Sequence, residues 1–102
     1  MAGLCGSLRP DSTTRLALRV ALRGAESNGS ETRLLDLAAY DLPLCRGKDQ
    51  EVHYPENVHR FRVDVRWGDA IILGTPEYHG SFSGVLKNAL DLLGFEEFEG
   101  KM

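Results

Sequence analysis

The chain has 102 residues, a formal net charge of −3 and a pI near 5.5. Hydrophobic residues make up 42% and charged residues 26%, the proportions of a globular domain, and the length suits one domain rather than two. An acidic balance with scattered arginines speaks against a partner such as nucleic acid or an anionic membrane.

Cys5 and Cys45 match no zinc or redox spacing, and two cysteines are too few for a secreted disulfide scaffold. No apolar run approaches the ~20 residues of a membrane span, and no secretory leader precedes the first strand. These features predict a reduced, cytoplasmic, soluble protein.

In chain order, Gly3–Gly6 reads as the end of an apolar strand that runs into a polar loop, Ser7–Thr14, stocked with helix-start residues. Leu16, Ala17, Val20, Ala21 and Gly24 keep helical spacing over Arg15–Ala25. Thr32–Leu37 predicts a second strand, and Tyr40–Tyr54 a loop punctuated by Pro43 and Gly47. From Pro55, the stripe of Val58, Phe61, Val65 and Trp67 predicts a second helix. Ala70–Thr75 is a continuous apolar run, which suits a strand buried on both faces. Ser83 or Ser81 then caps a third helix to about Leu93, with Val85, Leu86, Ala89, Leu90 and Leu93 on its inner side.

The order βαβαβα predicts an α/β fold: a parallel sheet between helical layers. Right-handed crossovers and the long second connection place strand three beyond strand one, giving the order 2-1-3. The exit loops of strands one and three then diverge to opposite faces at a topological switch point, where open α/β sheets bind ligands. Those loops are Gly6–Thr14 and Thr75–Ser83.

The first loop offers the hydroxyls of Ser7, Ser12, Thr13 and Thr14, the charge of Arg9 and the N–H groups of a helix start. Together they suit a phosphate. Neither GxxxxGK[ST] nor GxGxxG is present, which disfavours a nucleoside triphosphate or a Rossmann-bound dinucleotide. The same residues also read as a helix start with redundant caps. The second loop combines Pro76, Glu77, Tyr78, His79, Gly80 and Ser81, with Gly80 and Gly84 permitting close backbone approach and two flat side chains able to flank a ring. A structured connection whose tyrosine simply packs remains the alternative.

With both loops in view, "GSLRPDSTTR" (Gly6–Arg15), "DLPL" (Asp41–Leu44) and "TPEYHGSFSGVLKNALD" (Thr75–Asp91) resemble the NADPH-dependent FMN reductase family of flavodoxin-like proteins. The resemblance runs along almost the whole chain. It implies a flavodoxin-like three-layer sandwich with one FMN per subunit, assembled as a homodimer or homotetramer. It places the FMN phosphate on Ser7, Arg9, Ser12 and Thr14, with Thr13 beside them, and lays Pro76–Ser81 along the flavin ring.

The implied activity is transfer of electrons from NADPH (or NADH) through FMN to a small acceptor: a flavin, quinone, azo compound or metal oxyanion. No acid–base catalytic residue is nominated, because the cofactor carries the chemistry. A flavodoxin-like electron carrier, or a regulatory module with an empty site, are the other readings. Thr14 and His79 stand where the family more often has Asn. Family members also continue through further strands, in the order 2-1-3-4-5, so residues 1–102 read as a single but partial FMN-binding domain, with Glu99–Met102 starting a fourth strand.

Cys5 reads as a small core residue beside the phosphate loop and Trp67 as core packing before strand three. Lys87 and Asn88 read as a solvated or subunit-facing surface. Cys45, His53 and His59 lack ligand spacing, and no metal is expected.

Overall fold

Three strands, β1 (Ala2–Cys5), β2 (Arg33–Asp36) and β3 (Ile71–Gly74), form one parallel sheet in the order β2-β1-β3. This is a computed structural model, and it describes residues 1–47 and 53–102; the middle of the predicted Tyr40–Tyr54 loop lies outside the described residues. The register sets Cys5 beside Asp36 on one side and Gly74 on the other. The exits of β1 and β3 are therefore adjacent, as crossover handedness requires.

Alternation along β1 divides the layers. Ala2 and Leu4 face α3 (Glu56–Trp67) and α4 (Gly84–Leu92), where Phe61, Val65, Leu86 and Ala89 complete the main core. A buried side chain such as Phe61 contributes about 1.5–3 kcal/mol from its apolar surface. The other face is covered by α1 (Thr13–Ser27), which buries Leu18 and Leu22. Gly74 lets α1 approach closely: a Cβ there would lie 2.6 Å from Leu18 Cδ1 and 3.1 Å from Thr14 Cγ2.

Two short helices escape the sequence pattern. At α2 (Leu37–Tyr40), Asp36 caps the start by accepting from Ala38 N at 3.0 Å. The Asn57 side chain donates to the carbonyls of Tyr40 and Asp41 at 2.8 and 2.7 Å. At α5 (Phe95–Phe98), the buried Glu97 carboxylate lies 3.9 Å from Arg62 and 4.0 Å from Arg66.

Beyond α5, Lys101 Nζ donates to the carbonyls of Val65, Arg66 and Gly68 at the end of α3, the closest at 2.6 Å. Ile71 N donates to Met102 O at 3.0 Å, which sets residue 102 beside the start of β3.

Three expectations need correction. β3 is not buried on both faces: Leu73 is 48% exposed and its neighbours are half-buried. The cause is its place at the edge of this sheet. Trp67 is half-buried at the protein surface, with the Arg33 guanidinium 4.0 Å above its ring, a cation–π pair rather than core packing. Asn88 is not a solvated surface residue. Its amide accepts from Cys45 N at 2.8 Å and donates to Pro43 O at 3.0 Å, tying the Asp41–Leu44 segment to α4.

Candidate functional site

The first exit loop is built around two buried serines. Ser12 caps α1 by accepting from Arg15 N at 3.2 Å, and Ser7 Oγ accepts from Arg9 N at 3.3 Å. Both side chains are nearly sealed, at 2% and 5% residue exposure for Ser7 and Ser12. Each hydroxyl thus serves as an acceptor within the loop and keeps its own proton to donate. The start of α1 also presents the N–H groups of Thr13 and Thr14, which have no intrahelical partner. Free N–H groups, free O–H groups and the positive end of a helix of 15 residues favour an anion.

Arg9 is placed differently from its neighbours. Its side chain is 70% exposed and lies 3.5 Å from Asp11. The guanidinium within the loop belongs instead to Arg15. Its Nε and Nη2 reach the two Asp36 oxygens at 2.8 and 3.2 Å, and Nη1 donates to Arg9 O and Pro10 O at 2.9 and 3.2 Å. A longer bond from Nη2 reaches Ser7 O at 3.4 Å. The hydrogen bond to Asp36 outweighs desolvation and holds the Arg15 pKa above its ordinary value.

In the sequence, Arg15 is only the last residue of the GSLRPDSTTR motif and a polar position in the first turn of a helix. Its partner Asp36 lies at the end of another strand, so local spacing gave no sign of the contact.

The second exit loop carries a tight turn. Tyr78 N donates to Ser81 O at 2.9 Å, and Ser81 N to Tyr78 O at 3.0 Å. His79 and Gly80, between them, have φ of 52° and 77°, the left-handed pair of a type I′ turn. Pro76 is half-buried, while Glu77, Tyr78, His79, Gly80 and Ser81 stand exposed, with Tyr78 at 50%.

The bases of the two loops are joined. Thr75 Oγ1 accepts from Ser83 N at 2.9 Å, and Gly6 N donates to Gly74 O at 2.8 Å. Ser83 Oγ donates to Gly6 O at 2.7 Å.

Two cavities flank this junction. An open groove of about 630 Å³ between α1 and β3 brings Thr13 and Thr14 together with Gly74 and Thr75. A more enclosed cavity of about 500 Å³ lies between α2 and α4, lined by Leu8, Leu37, Leu42, Val85 and Asn88 among others. Both linings are largely apolar; Thr13, Thr14 and Thr75 bring hydroxyls to the first, and Asp41 and Asn88 bring polar groups to the second. The structure sets Ser12, Thr13 and Thr14 at the start of α1, Ser7 in the loop that leads into it, and Pro76–Ser81 on the adjacent exit loop. It leaves the side chains of Arg9, Glu77 and His79 in solvent.

The chain matches the family described as NADPH-dependent FMN reductase over residues 1–102. It belongs to that family. The NAD(P)H-dependent FMN reductase of Pseudomonas aeruginosa is 39% identical over 89 residues, covering 87% of this chain and 46% of the relative. The FMN-dependent NADPH-azoreductase of Staphylococcus saprophyticus is 34% identical over 102 residues, covering 96% of this chain and 54% of that one. Among solved structures, the apo form of the NADH:FMN oxidoreductase EMOB superposes with a TM-score of 0.77 at 27% identity, over 98% of this chain and 52% of the other. The chain thus spans about half the length of the curated relatives it matches. Among its described residues, this FMN reductase family member has no helix long and apolar enough to cross a membrane.

Proposed function

We propose that residues 1–102 form the FMN-binding part of an NAD(P)H-dependent oxidoreductase that passes electrons to a small acceptor such as a flavin, quinone, azo compound or metal oxyanion. The observation that carries this reading is the loop leading into α1, where Ser7 and Ser12 are buried and each hydroxyl accepts from a main-chain N–H, leaving its own proton to donate. Such a cradle suits the terminal phosphate of FMN, which is dianionic and accepts from several donors at once.

Ser7, Ser12, Thr13 and Thr14 hold that phosphate, and Arg9 adds charge from the rim. Pro76, Glu77, Tyr78, His79, Gly80 and Ser81 border the ring, with Tyr78 as the flat wall. Bound FMN supplies the hydride-accepting and electron-donating chemistry. The chain's own residues bind and orient it, and backbone dipoles of the second loop favour added negative charge near the ring. NADPH or NADH is the hydride donor. The protein works in the cytoplasm as a homodimer or homotetramer.

Purified protein should be yellow, and its visible flavin band should bleach when NADPH is added without oxygen. Colourless protein that takes up no added FMN would refute the reading. A flavin band that NADPH leaves intact, and that a protein electron donor bleaches, would favour a carrier instead.

A further inference from the structure

We propose that Arg15 is a positioning residue for the phosphate loop, and that Asp36, acting through Arg15, sets how tightly that loop holds an anion without approaching it. The inference rests on residues 7–14 being the FMN phosphate site.

The guanidinium has five N–H donors, and all are engaged within the protein. Two bond the Asp36 carboxylate, at 2.8 and 3.2 Å. The others reach the carbonyls of Arg9, Pro10 and Ser7 at 2.9, 3.2 and 3.4 Å. The pair is mostly sealed from water, with side-chain exposures of 12% for Arg15 and 27% for Asp36.

These contacts shape the loop electrostatically. A carbonyl oxygen pointing outward would repel a phosphate, whereas one held inward leaves N–H and O–H groups to face it. Arg15 turns three carbonyls of the loop toward itself. Its main-chain N–H also bonds Ser12 Oγ at 3.2 Å, so one residue fixes both ends of the arch. Asp36 in turn fixes Arg15. It occupies the end of β2 and caps α2 at Ala38 N, so the anchor belongs to the sheet rather than the loop.

Two roles for Arg15 predict opposite signs. If Arg15 were a direct phosphate ligand, Asp36 would compete for it, and Asp36→Asn would release the guanidinium and tighten FMN binding. If Arg15 only positions the loop, Asp36→Asn loosens the clamp and weakens binding. Lysine cannot replace the clamp, because one ammonium cannot span a carboxylate and three carbonyls in a planar fork.

The test is a fluorescence titration of FMN, and of riboflavin, which lacks the phosphate, into wild type, Asp36→Asn, Arg15→Lys and the double variant. Each single change should weaken FMN about tenfold, the scale of one charged hydrogen bond. The double variant should be no weaker than the worse single variant, and riboflavin binding should stay unchanged. FMN binding in Asp36→Asn as tight as or tighter than wild type would overturn the positioning role, and so would an equal loss for riboflavin. Should Asp36→Asn fail to fold, Asp36→Glu keeps the charge, displaces the carboxylate, and carries the same prediction. Wild type that binds no FMN would instead defeat the phosphate-site reading itself.

Discussion

Ser83 and Gly6, 77 positions apart, meet through a hydrogen bond of 2.7 Å from the serine hydroxyl to the glycine carbonyl. The same oxygen accepts from Leu86 N at 3.1 Å and so caps α4. One buried side chain therefore starts a helix and fastens the two exit loops at their bases.

Removing that hydroxyl leaves a helix start without its cap and a buried carbonyl without its donor. Ser83→Ala should lower stability by about 2–3 kcal/mol, from the sum of those two losses. Urea unfolding followed by circular dichroism measures it. A loss under half a kcal/mol would mean that water replaces the hydroxyl and that the loops are held elsewhere.

Gly6 is required at this junction by space. A Cβ would lie 2.9 Å from Leu86 Cβ and 3.1 Å from both Gly74 O and Ser83 Oγ. Gly6→Ala should therefore cost about 1–3 kcal/mol by overpacking and push the loops apart. A thermal melt reads the first effect, and a weaker FMN dissociation constant the second.

The turn at His79–Gly80 yields a prediction with a discriminating variant. A Cβ on Gly80 would meet nothing within 4 Å beyond its chain neighbours, so the constraint visible within the chain is its φ of 77°. Gly80→Val should strain the turn by about 1–2 kcal/mol and release bound FMN while far-UV circular dichroism is preserved. Asn tolerates left-handed backbone, so His79→Asn should retain flavin and NADPH oxidation. Gly80→Asn separates backbone from ligand: retained flavin indicates that conformation alone matters, and lost flavin indicates that the ring lies against Gly80.

Arg9 should contribute modestly. Exposed and already beside Asp11, it gains only a solvent-screened contact with a phosphate. Arg9→Ala should weaken FMN by about 1 kcal/mol or less, below the usual range for a charged hydrogen bond. Fluorescence quenching measures it, and a hundredfold loss would show that Arg9 swings inward on binding.

The sheet order was legible because it depends on crossover handedness and the length of the second connection, both visible in the sequence. The two loops were legible because strand ends and helix caps have short-range signatures. What stayed hidden was long-range or very short. A helix of one turn such as Leu37–Tyr40 has no periodicity, and its cap, Asp36, reads as the last residue of a strand. The Arg15–Asp36 pair and the Asn88 tether to Pro43 and Cys45 join residues 21 to 45 positions apart that only the folded chain brings together. Exposure of Leu73 was misjudged for a different reason: hydropathy reports what a strand can tolerate, and its position at the sheet edge decides what covers it.

The contact of Leu18 with the bare backbone of Gly74 has a mechanical consequence. α1 rests on the sheet at a height set by that missing methyl group, and Thr14 rides on the same turns of helix. The proposed anion cradle is therefore levelled by packing beneath it. Substitutions at Gly74 or Leu18 would tilt it without touching any ligand-facing group, so affinity in this protein can drift through changes that look purely structural.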